Sequence, residues 1–167
     1  DPAAVDLDAV LDTYSVPLME KFWELGLDFT SHRRLAWYLT EATRIVGGGA
    51  GLDSNDRFAQ LDRFAVAIGG VMGATRVITD RSWVHHDRQI GTTGVVIDPE
   101  LYLSFGVSGA VQHTSGLGHP DHIISVNTDP HCPMMSMSDL AIVADANATL
   151  DELLRLLDAT DAAQETS

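Results

Sequence analysis

A glycine-rich run, GGGAGLDS at positions 47–54, is the first stretch of the chain whose residue types suit a chemical role. Glycines let backbone N–H groups approach a ligand closely, and a helix that begins just after them adds positive potential. Both features suit a diphosphate. The run matches neither G-x-x-x-x-G-K-[ST] nor G-x-G-x-x-G well. Taken alone, it fits a tight turn between a strand and a helix as well as it fits a phosphate loop.

Histidines and the single cysteine are the other side chains that could bind a metal or act as nucleophiles. They are spread over three predicted loops, at His85, His86, His119, His122, His131 and Cys132. Their spacing matches no metal-binding motif, and Cys132 suits a structural role better than a nucleophilic one. No Ser-His-Asp order and no pair of carboxylates stands out. We therefore expect no metal site and no catalytic residue.

The elements that position these residues alternate between strands and helices from residue 41 onward. Strands are predicted at 42–46, 74–79, 101–107, 122–126 and 140–144. Helices are predicted at 57–68 with Asp53 or Ser54 as N-cap, after 108–110, and at 150–157 with Thr149 as N-cap. This alternation predicts an α/β fold, a parallel sheet with helices on both faces.

Small and polar residues follow most of the predicted strands. They are Gly47 after the first, Ser108 and Gly109 after the third, Asn127 to Asp129 after the fourth and Asp145 after the last. In an open parallel sheet, the carboxyl ends of the strands line the ligand crevice. The sequence therefore predicts a nucleotide-like ligand at that edge of the sheet.

The chain divides into three predicted parts: a helical segment or linker over 1–40, a ligand-binding domain over 41–158, and a frayed tail over 159–167. Within the first part, residues 5–28 predict helical pieces that break near Pro17, and residues 31–40 predict a connector. Because the chain starts with Asp1 rather than Met, we expect it to be trimmed or excised from something longer.

Charge and composition narrow the range of partners. The chain carries 24 acidic and 10 basic residues, a net charge of −14, which argues against binding nucleic acid or an anionic membrane surface. A single cysteine excludes an internal disulfide. No apolar run reaches the ~18 residues of a membrane span, and no signal peptide is visible. We expect a cytoplasmic protein without membrane insertion.

Five segments together resemble one known family. They are GATR at 73–76, QIGTTG at 89–94, PELYL at 99–103, GVSGAVQH at 106–113 and VNTDPHCP at 126–133. In this order they resemble the C-terminal FAD-binding domain of electron transfer flavoprotein alpha subunits, from about residue 41 to 157. The resemblance implies a Rossmann-like, three-layer domain of the deoxyhypusine synthase-like NAD/FAD-binding type. It also implies FAD as cofactor and an electron carrier rather than an enzyme that transforms a substrate.

The resemblance implies roles for individual side chains at the flavin ring. Thr93 matches the threonine whose hydroxyl contacts flavin N5. Arg76 matches an arginine beside the ring, whose fixed charge raises the flavin potential, although a surface ion pair with Asp80 is the plainer interpretation of this residue. Gln112 and His113 match residues near the pyrimidine edge of the ring.

Other residues match positions along the rest of FAD. Ser108 and Ser54 match the phosphate end, Asn127 and Asp145 the ribose and adenine, and Gln89 the loop that wraps the flavin. The complete implied set is Gly49, Gly51, Ser54, Arg76, Gln89, Gly91, Thr92, Thr93, Ser108, Gly109, Gln112, His113, Asn127, Thr128 and Asp145.

The chain departs from the family's pattern in the glycine-rich run. The family usually has Ser, Arg and Lys where this chain has Gly47, Ala50 and Asp53. Two positive charges are therefore lost and one negative charge is gained near the expected phosphates. Thr92 and Thr128 also replace the Gln and Lys that are usual at their positions.

Three functions are compatible with these residues. The first is a FAD-binding electron carrier that forms a heterodimer with a beta-type subunit and exchanges electrons with flavin dehydrogenases and an acceptor. The second, which Ala50 and Asp53 favour, is a degenerate module that binds AMP-like or FAD-like ligands and serves assembly without redox activity. The third is an NAD-dependent enzyme on the related deoxyhypusine synthase-like sheet. It lacks support, because the only lysine, Lys21, lies outside the motif region.

Overall fold

The computed structural model describes residues 39–165. The helical pieces expected within residues 5–28, and residues 31–38 of the expected connector, lie outside the described residues. Leu39 to Glu41 form a turn that leads into the first strand.

Five parallel strands form one sheet in the order β2-β1-β3-β4-β5. Their bounds are Arg44–Gly48 (β1), Val71–Ala74 (β2), Leu101–Phe105 (β3), His122–Asn127 (β4) and Leu140–Val143 (β5). Gly48 of β1 lies opposite both Ala74 of β2 and Phe105 of β3, so these three strands end level with one another. The strand order reverses between β1 and β3, and a crevice opens at such a switch point.

Within residues 39–165, five helices connect and cover the strands: Asp56–Ala67 (α1), Arg76–Asp80 (α2), Val111–Thr114 (α3), Pro133–Ser136 (α4) and Ala146–Glu165 (α5). On one face, Leu103 and Phe105 belong to a core shared with α1 and α5. On the other, Tyr102 belongs to a core that includes Ile90 and Met134 of α4. Because both faces are buried, the strands are mostly apolar rather than alternating, and the buried Ser104 of β3 and Ser125 of β4 hydrogen-bond to each other. The predicted three-layer α/β fold with a parallel sheet is confirmed.

The predicted strand at 74–79 is wrong. Strand β2 ends at Ala74, and α2 follows from Arg76. The β-branched residues of this segment favour a strand by propensity, but tertiary contacts override that preference. The backbone N–H of Thr75 donates to the carbonyl of Gly48, and the N–H of Ile78 donates to the carbonyl of Thr75, which closes a helical turn.

The first strand lies two residues later than predicted, so Gly47 and Gly48 belong to β1 rather than to the loop. Both positions require glycine for close packing. A Cβ on Gly47 would lie 2.1 Å from the Tyr102 hydroxyl, and one on Gly48 would lie 2.6 Å from the Phe58 ring. The predicted strands at 101–107, 122–126 and 140–144 match β3, β4 and β5 to within two residues.

The N-terminus of α1 differs from its prediction. The N-cap position is Asn55, which makes no side-chain capping bond, so neither Asp53 nor Ser54 caps the helix. Asp53 is used elsewhere, because its carboxylate accepts a hydrogen bond from the Asn147 side chain.

The last helix is longer than predicted at both ends. It begins at Ala146, where the Asp145 carboxylate accepts from the N–H of Ala148, so Asp145 and not Thr149 provides the cap. The helix continues through Glu165, so residues 159–165 are helical rather than frayed. Its last turns contain three alanines, which have the highest helix propensity. Within residues 39–165, no helix is both long and apolar enough to cross a membrane.

Candidate functional site

A cavity of about 410 Å³ lies at the carboxyl ends of β1, β2 and β3, at the switch point of the sheet. The loop after each of these strands contributes to its wall, and so does the loop that follows the 3-10 turn His86–Arg88. Such a concave site, with apolar walls and a few polar groups, is typical of cofactor and small-molecule binding.

Nine of the fifteen predicted site residues line this cavity. Gly49 comes from the loop after β1 and Arg76 from the first position of α2, which follows β2. The loop and helix after β3 contribute Ser108, Gly109, Gln112 and His113. The intervening loop contributes Gln89, Gly91 and Thr93.

The other six predicted residues do not line the cavity: Gly51, Ser54, Thr92, Asn127, Thr128 and Asp145. Asn127 and Thr128 stand at and just after the end of β4, and Asp145 stands two residues beyond β5. Two of these side chains support local structure. Asn127 donates to the carbonyl of Val107 and accepts from the N–H of Asp129, and Asp145 caps α5.

The glycine-rich run joins two loops together. The N–H of Gly49 donates to the carbonyl of Phe105 and that of Gly51 to the carbonyl of Gly106, both at 3.0 Å. A Cβ on Gly51 would lie 2.6 Å from the Cα of Gly106, so glycine is required for this approach. These two N–H groups are therefore used within the protein, whereas a phosphate loop presents such groups to its ligand.

The loop at 89–95 is held against α3 by a close contact at Gly91. Gly91 has a φ of +139°, which side chains rarely tolerate, and a Cβ there would lie 2.4 Å from the carbonyl oxygen of Gln112. The N–H of Thr92 donates to that same oxygen at 2.9 Å. This contact holds the loop that carries Thr93 beside the helix that carries Gln112 and His113.

Gln89 is a buried side chain that connects two threonines. Its side chain, 2% exposed, bonds to the Thr79 hydroxyl at 2.5 Å and to the Thr93 hydroxyl at 2.8 Å. Thr93 is exposed and lines the cavity. A buried amide therefore supports a hydroxyl at the surface of the cavity.

His113 is 5% exposed and its Nε2 lies 2.7 Å from the Tyr102 hydroxyl. Burial lowers the pKa of His113 to about 4, although the backbone of Ile90 opposes this shift, and burial raises the pKa of Tyr102 well above its usual range. Both groups are therefore neutral near pH 7.

Two buried polar atoms in the cavity wall have no hydrogen-bond partner within residues 39–165. They are Oγ1 of Thr75 and Nδ1 of His113, whose imidazole the Ile90 backbone approaches closely enough to oppose the pKa shift but without the geometry of a hydrogen bond. Buried polar atoms are nearly always paired in folded proteins, so these two atoms suit a ligand that carries polar groups.

Arg76 is the one lysine or arginine among the residues that line the cavity. Its Nε lies 3.4 Å from an Asp80 carboxylate oxygen, and both side chains are more than half exposed. Arg76 therefore forms a surface ion pair and also lines the cavity.

The structure adds residues that the sequence analysis did not select. Thr75 lines the cavity. Thr79 and Tyr102 act through predicted site residues, because Thr79 bonds to Gln89 and Tyr102 bonds to His113. Thr75 lies inside the GATR segment and Tyr102 inside the PELYL segment, so both could have been selected from the sequence. Nothing in the sequence indicates Thr79. Within residues 39–165, no group of three or more His, Cys, Asp or Glu side chains is arranged to hold a metal ion.

Comparisons with known proteins agree with this geometry. The family model described as the electron transfer flavoprotein FAD-binding domain matches residues 38–118. The electron transfer flavoprotein subunit alpha of Clostridium acetobutylicum is 41% identical over 114 residues, which cover 68% of this chain and 34% of the relative. The mitochondrial alpha subunit of Oryza sativa subsp. indica is 43% identical over 119 residues, covering 71% and 33%.

A third relative, the alpha subunit of Paracoccus denitrificans, is 38% identical over 115 residues, covering 69% of this chain and 37% of the relative. The matched part of the chain thus spans about a third of the length of these curated relatives. Residues 38–118, which include β1, β2, β3 and the cavity between their ends, belong to the FAD-binding domain family of electron transfer flavoprotein alpha subunits.

Proposed function

We propose that this domain binds FAD with the flavin ring in the cavity and serves as the alpha-type part of an electron transfer flavoprotein. One observation carries the proposal. Nine residues that the family resemblance selects, from four separate segments of the chain, converge on one cavity at the switch point of the sheet. The unpartnered Nδ1 of His113 and Oγ1 of Thr75 fit a ligand with polar ring edges.

FAD would supply a ring that takes up and releases electrons reversibly. This chain's residues bind and orient it. Thr93 offers a hydroxyl, Arg76 a fixed positive charge, and His113 a neutral imidazole that does not add charge near pH 7. The close contact of Gly91 with α3 holds Thr93 and His113 in one wall of the cavity.

The phosphate end fits FAD less well. Ala50 contributes no charge, the N–H groups of Gly49 and Gly51 are used within the protein, and Asp53 adds negative charge close by. We propose that the ring end provides most of the binding free energy.

Electron exchange with flavin dehydrogenases and an acceptor, pairing with a beta-type subunit and a cytoplasmic location are parts of the same proposal. The names of the relatives support the first two, although the rice relative is named as mitochondrial. Thr93, Ser108 and Gln112 are exposed at the cavity, which leaves room for a partner to cover its open side.

Titration of flavin-free protein with FAD, followed by quenching of flavin fluorescence, tests the proposal. We expect saturable binding that weakens in Ser108→Val, a variant at the cavity wall. The matched control is Thr160→Val, on an exposed face of α5 away from the cavity, and it should bind as the parent does. No uptake of FAD by the parent protein would overturn the proposal.

A degenerate nucleotide-binding module is the second candidate. The observation that favours it is the use of the Gly49 and Gly51 N–H groups by backbone carbonyls. Such a module would bind AMP, followed by calorimetric titration because AMP has no flavin fluorescence, and would fail to bind riboflavin. Binding of riboflavin without AMP would exclude it.

A further inference from the structure

The distances around Gln89 determine which end of its amide faces each threonine. The contact with Thr79 measures 2.5 Å, which is normal for O–H···O and shorter than the about 2.7–3.2 Å of N–H···O bonds. The contact with Thr93 measures 2.8 Å, which suits N–H···O. The Thr79 hydroxyl has one proton, and its 2.5 Å contact with Gln89 is shorter than its 3.0 Å contact with the Arg76 carbonyl, so the Gln89 carbonyl oxygen accepts that proton and the Gln89 NH₂ group donates to Thr93.

The surroundings of Gln89 hold its amide in this orientation. The side chain is 2% exposed, so a reversed amide could not exchange its partners for water. The backbone is fixed as well, because the N–H of Gln89 donates to His86 and its carbonyl accepts from Val95 at 2.7 Å. A Cβ on Gly94 would lie 2.2 Å from that carbonyl oxygen, which shows how tightly the turn closes around it.

The Thr93 hydroxyl can still donate one hydrogen bond. Its oxygen accepts from Gln89, and its own proton has no acceptor within residues 39–165. Because Thr93 is exposed and lines the cavity, that proton is available to a ligand.

We propose that Gln89 is a positioning residue that fixes the Thr93 hydroxyl as a hydrogen-bond donor, so that the cavity selects a ligand ring with an unprotonated acceptor atom at that point. The inference rests on the proposed function, in which the ligand is FAD. The oxidised flavin ring carries such an acceptor at N5, the atom that the family resemblance already assigns to Thr93, so the new part of the proposal is the role of Gln89.

Binding of FAD and of 5-deaza-FAD to the full chain tests the inference. The analogue has a C–H group in place of N5 and otherwise keeps the shape and charge of FAD. We expect the parent to bind FAD roughly two- to tenfold more tightly than the analogue, the range that one net hydrogen bond gives. Thr93→Val should lose this preference, and Thr93→Ser, which keeps the hydroxyl, should retain it.

Gln89→Met, which removes both polar ends of the amide, should reduce the preference. In a Thr93→Val background it should cause no further reduction, because Gln89 acts through Thr93. If Gln89→Met does not fold, Thr79→Val replaces it, since loss of the Thr79 donor frees the amide to reverse. A thermal melt monitored by circular dichroism reports folding in each case.

Three results would count against the inference in distinguishable ways. Equal affinity of the parent for FAD and 5-deaza-FAD would overturn it while leaving the proposed function intact. An unchanged preference in folded Gln89→Met or Thr79→Val would also overturn it, because Thr93 would then act without positioning. Failure of both compounds to bind would overturn the proposed function together with the inference.

Discussion

The two ends of the predicted cofactor site use their polar groups in opposite ways. At the ring end, defined here by Thr75, Gln89, Thr93 and His113, buried groups support polar atoms that no other described residue satisfies. At the phosphate end, defined by residues 49–53, and at Asn127 and Asp145, which the resemblance assigns to the ribose and adenine, the polar groups mostly hold the protein's own loops and helix ends. The difference is one of degree, because Oδ1 of Asn147, next to Asp53, is also buried without a partner among residues 39–165, but the unpartnered atoms that line the cavity belong to the ring end.

The two ends differ in how many buried polar atoms they leave without a partner, and each such atom costs free energy. A buried polar atom without a partner costs about 1–3 kcal/mol, so a protein keeps one only where strain or function requires it. Most polar groups at the phosphate end avoid that cost by pairing internally, as the Asp53 carboxylate does with the NH₂ group of Asn147, but Oδ1 of Asn147 is buried without a partner among residues 39–165. Family membership alone would not reveal this asymmetry.

The largest effect should come from Gly91, which fixes the ring end. Gly91→Val forces a side chain into a φ of +139° with its Cβ 2.4 Å from a backbone oxygen. We expect a loss of about 4 kcal/mol in the free energy of unfolding and loss of FAD binding. Urea denaturation measures the first and fluorescence titration the second.

A matched control separates backbone strain from crowding at Gly91. Gly69 also has a positive φ, +72°, but a Cβ there would meet only the end of the Arg44 side chain, at 3.1 Å. Gly69→Ala should cost about 1 kcal/mol and leave FAD binding unchanged. Equal losses at the two glycines would contradict the close contact described for the 89–95 loop.

The second effect concerns pH and His113. Its pKa is about 4 when folded and about 6.5 when unfolded, so the unfolded chain binds more protons between these values. The free energy of unfolding should therefore have its full value above about pH 6.5 and fall by about 3 kcal/mol as the pH drops to about 4. Urea denaturation at pH 7 and pH 4.5 measures the change.

Two variants assign this pH dependence. His113→Gln should lose most of it, whereas His131→Gln, at an exposed position, should keep it. Persistence of the full dependence in His113→Gln would mean that carboxylates, and not the buried imidazole, produce it.

The third effect concerns the phosphate end. Ala50→Arg combined with Asp53→Lys restores the positive charges that the family usually has, and should tighten FAD binding by roughly ten- to a hundredfold. Riboflavin, which has no phosphate, should bind as before. Asp56→Lys with Ala59→Arg makes the same change in net charge on exposed positions of α1 and should leave FAD affinity nearly constant.

Failure of the Ala50→Arg, Asp53→Lys variant to improve FAD binding would mean that residues 50 and 53 do not face the diphosphate. A similar improvement in riboflavin binding would point instead to a general stabilisation of the loop.

The smallest effect should come from Arg76. Arg76→Ala removes a positive charge beside the cavity, so the midpoint potential of bound flavin should fall. The change should correspond to less than about 1 kcal/mol, because the side chain is exposed and already paired with Asp80. Potentiometric titration measures it, with Arg81→Ala, which lies over Trp83, as the control. A fall of equal size in both variants would refute a specific role for Arg76.

The sequence could predict the features that depend on local pattern. Continuous apolar runs located β3, β4 and β5, and the strand–helix alternation indicated the parallel sheet. Local pattern misled where tertiary contacts decide. Thr79 belongs to a β-branched segment that suits a strand, but helix α2 brings its hydroxyl to Gln89, ten residues away in the chain.

The same distinction applies to the site. Motif segments identified the residues from four parts of the chain that line the cavity, because each segment carries its own residue types. The partners that bury or orient them, such as Tyr102 for His113, come from other elements and cannot be inferred from spacing. The sequence also could not show that the N–H groups of Gly49 and Gly51 are used by neighbouring carbonyls.

The measurement that tests the central claim most directly is the mass analysis of small molecules released when the purified full chain is denatured, before and after incubation with FAD. We expect release of FAD in a stoichiometric amount after incubation. Release of no flavin under either condition, from protein whose folding has been verified by circular dichroism, would contradict it.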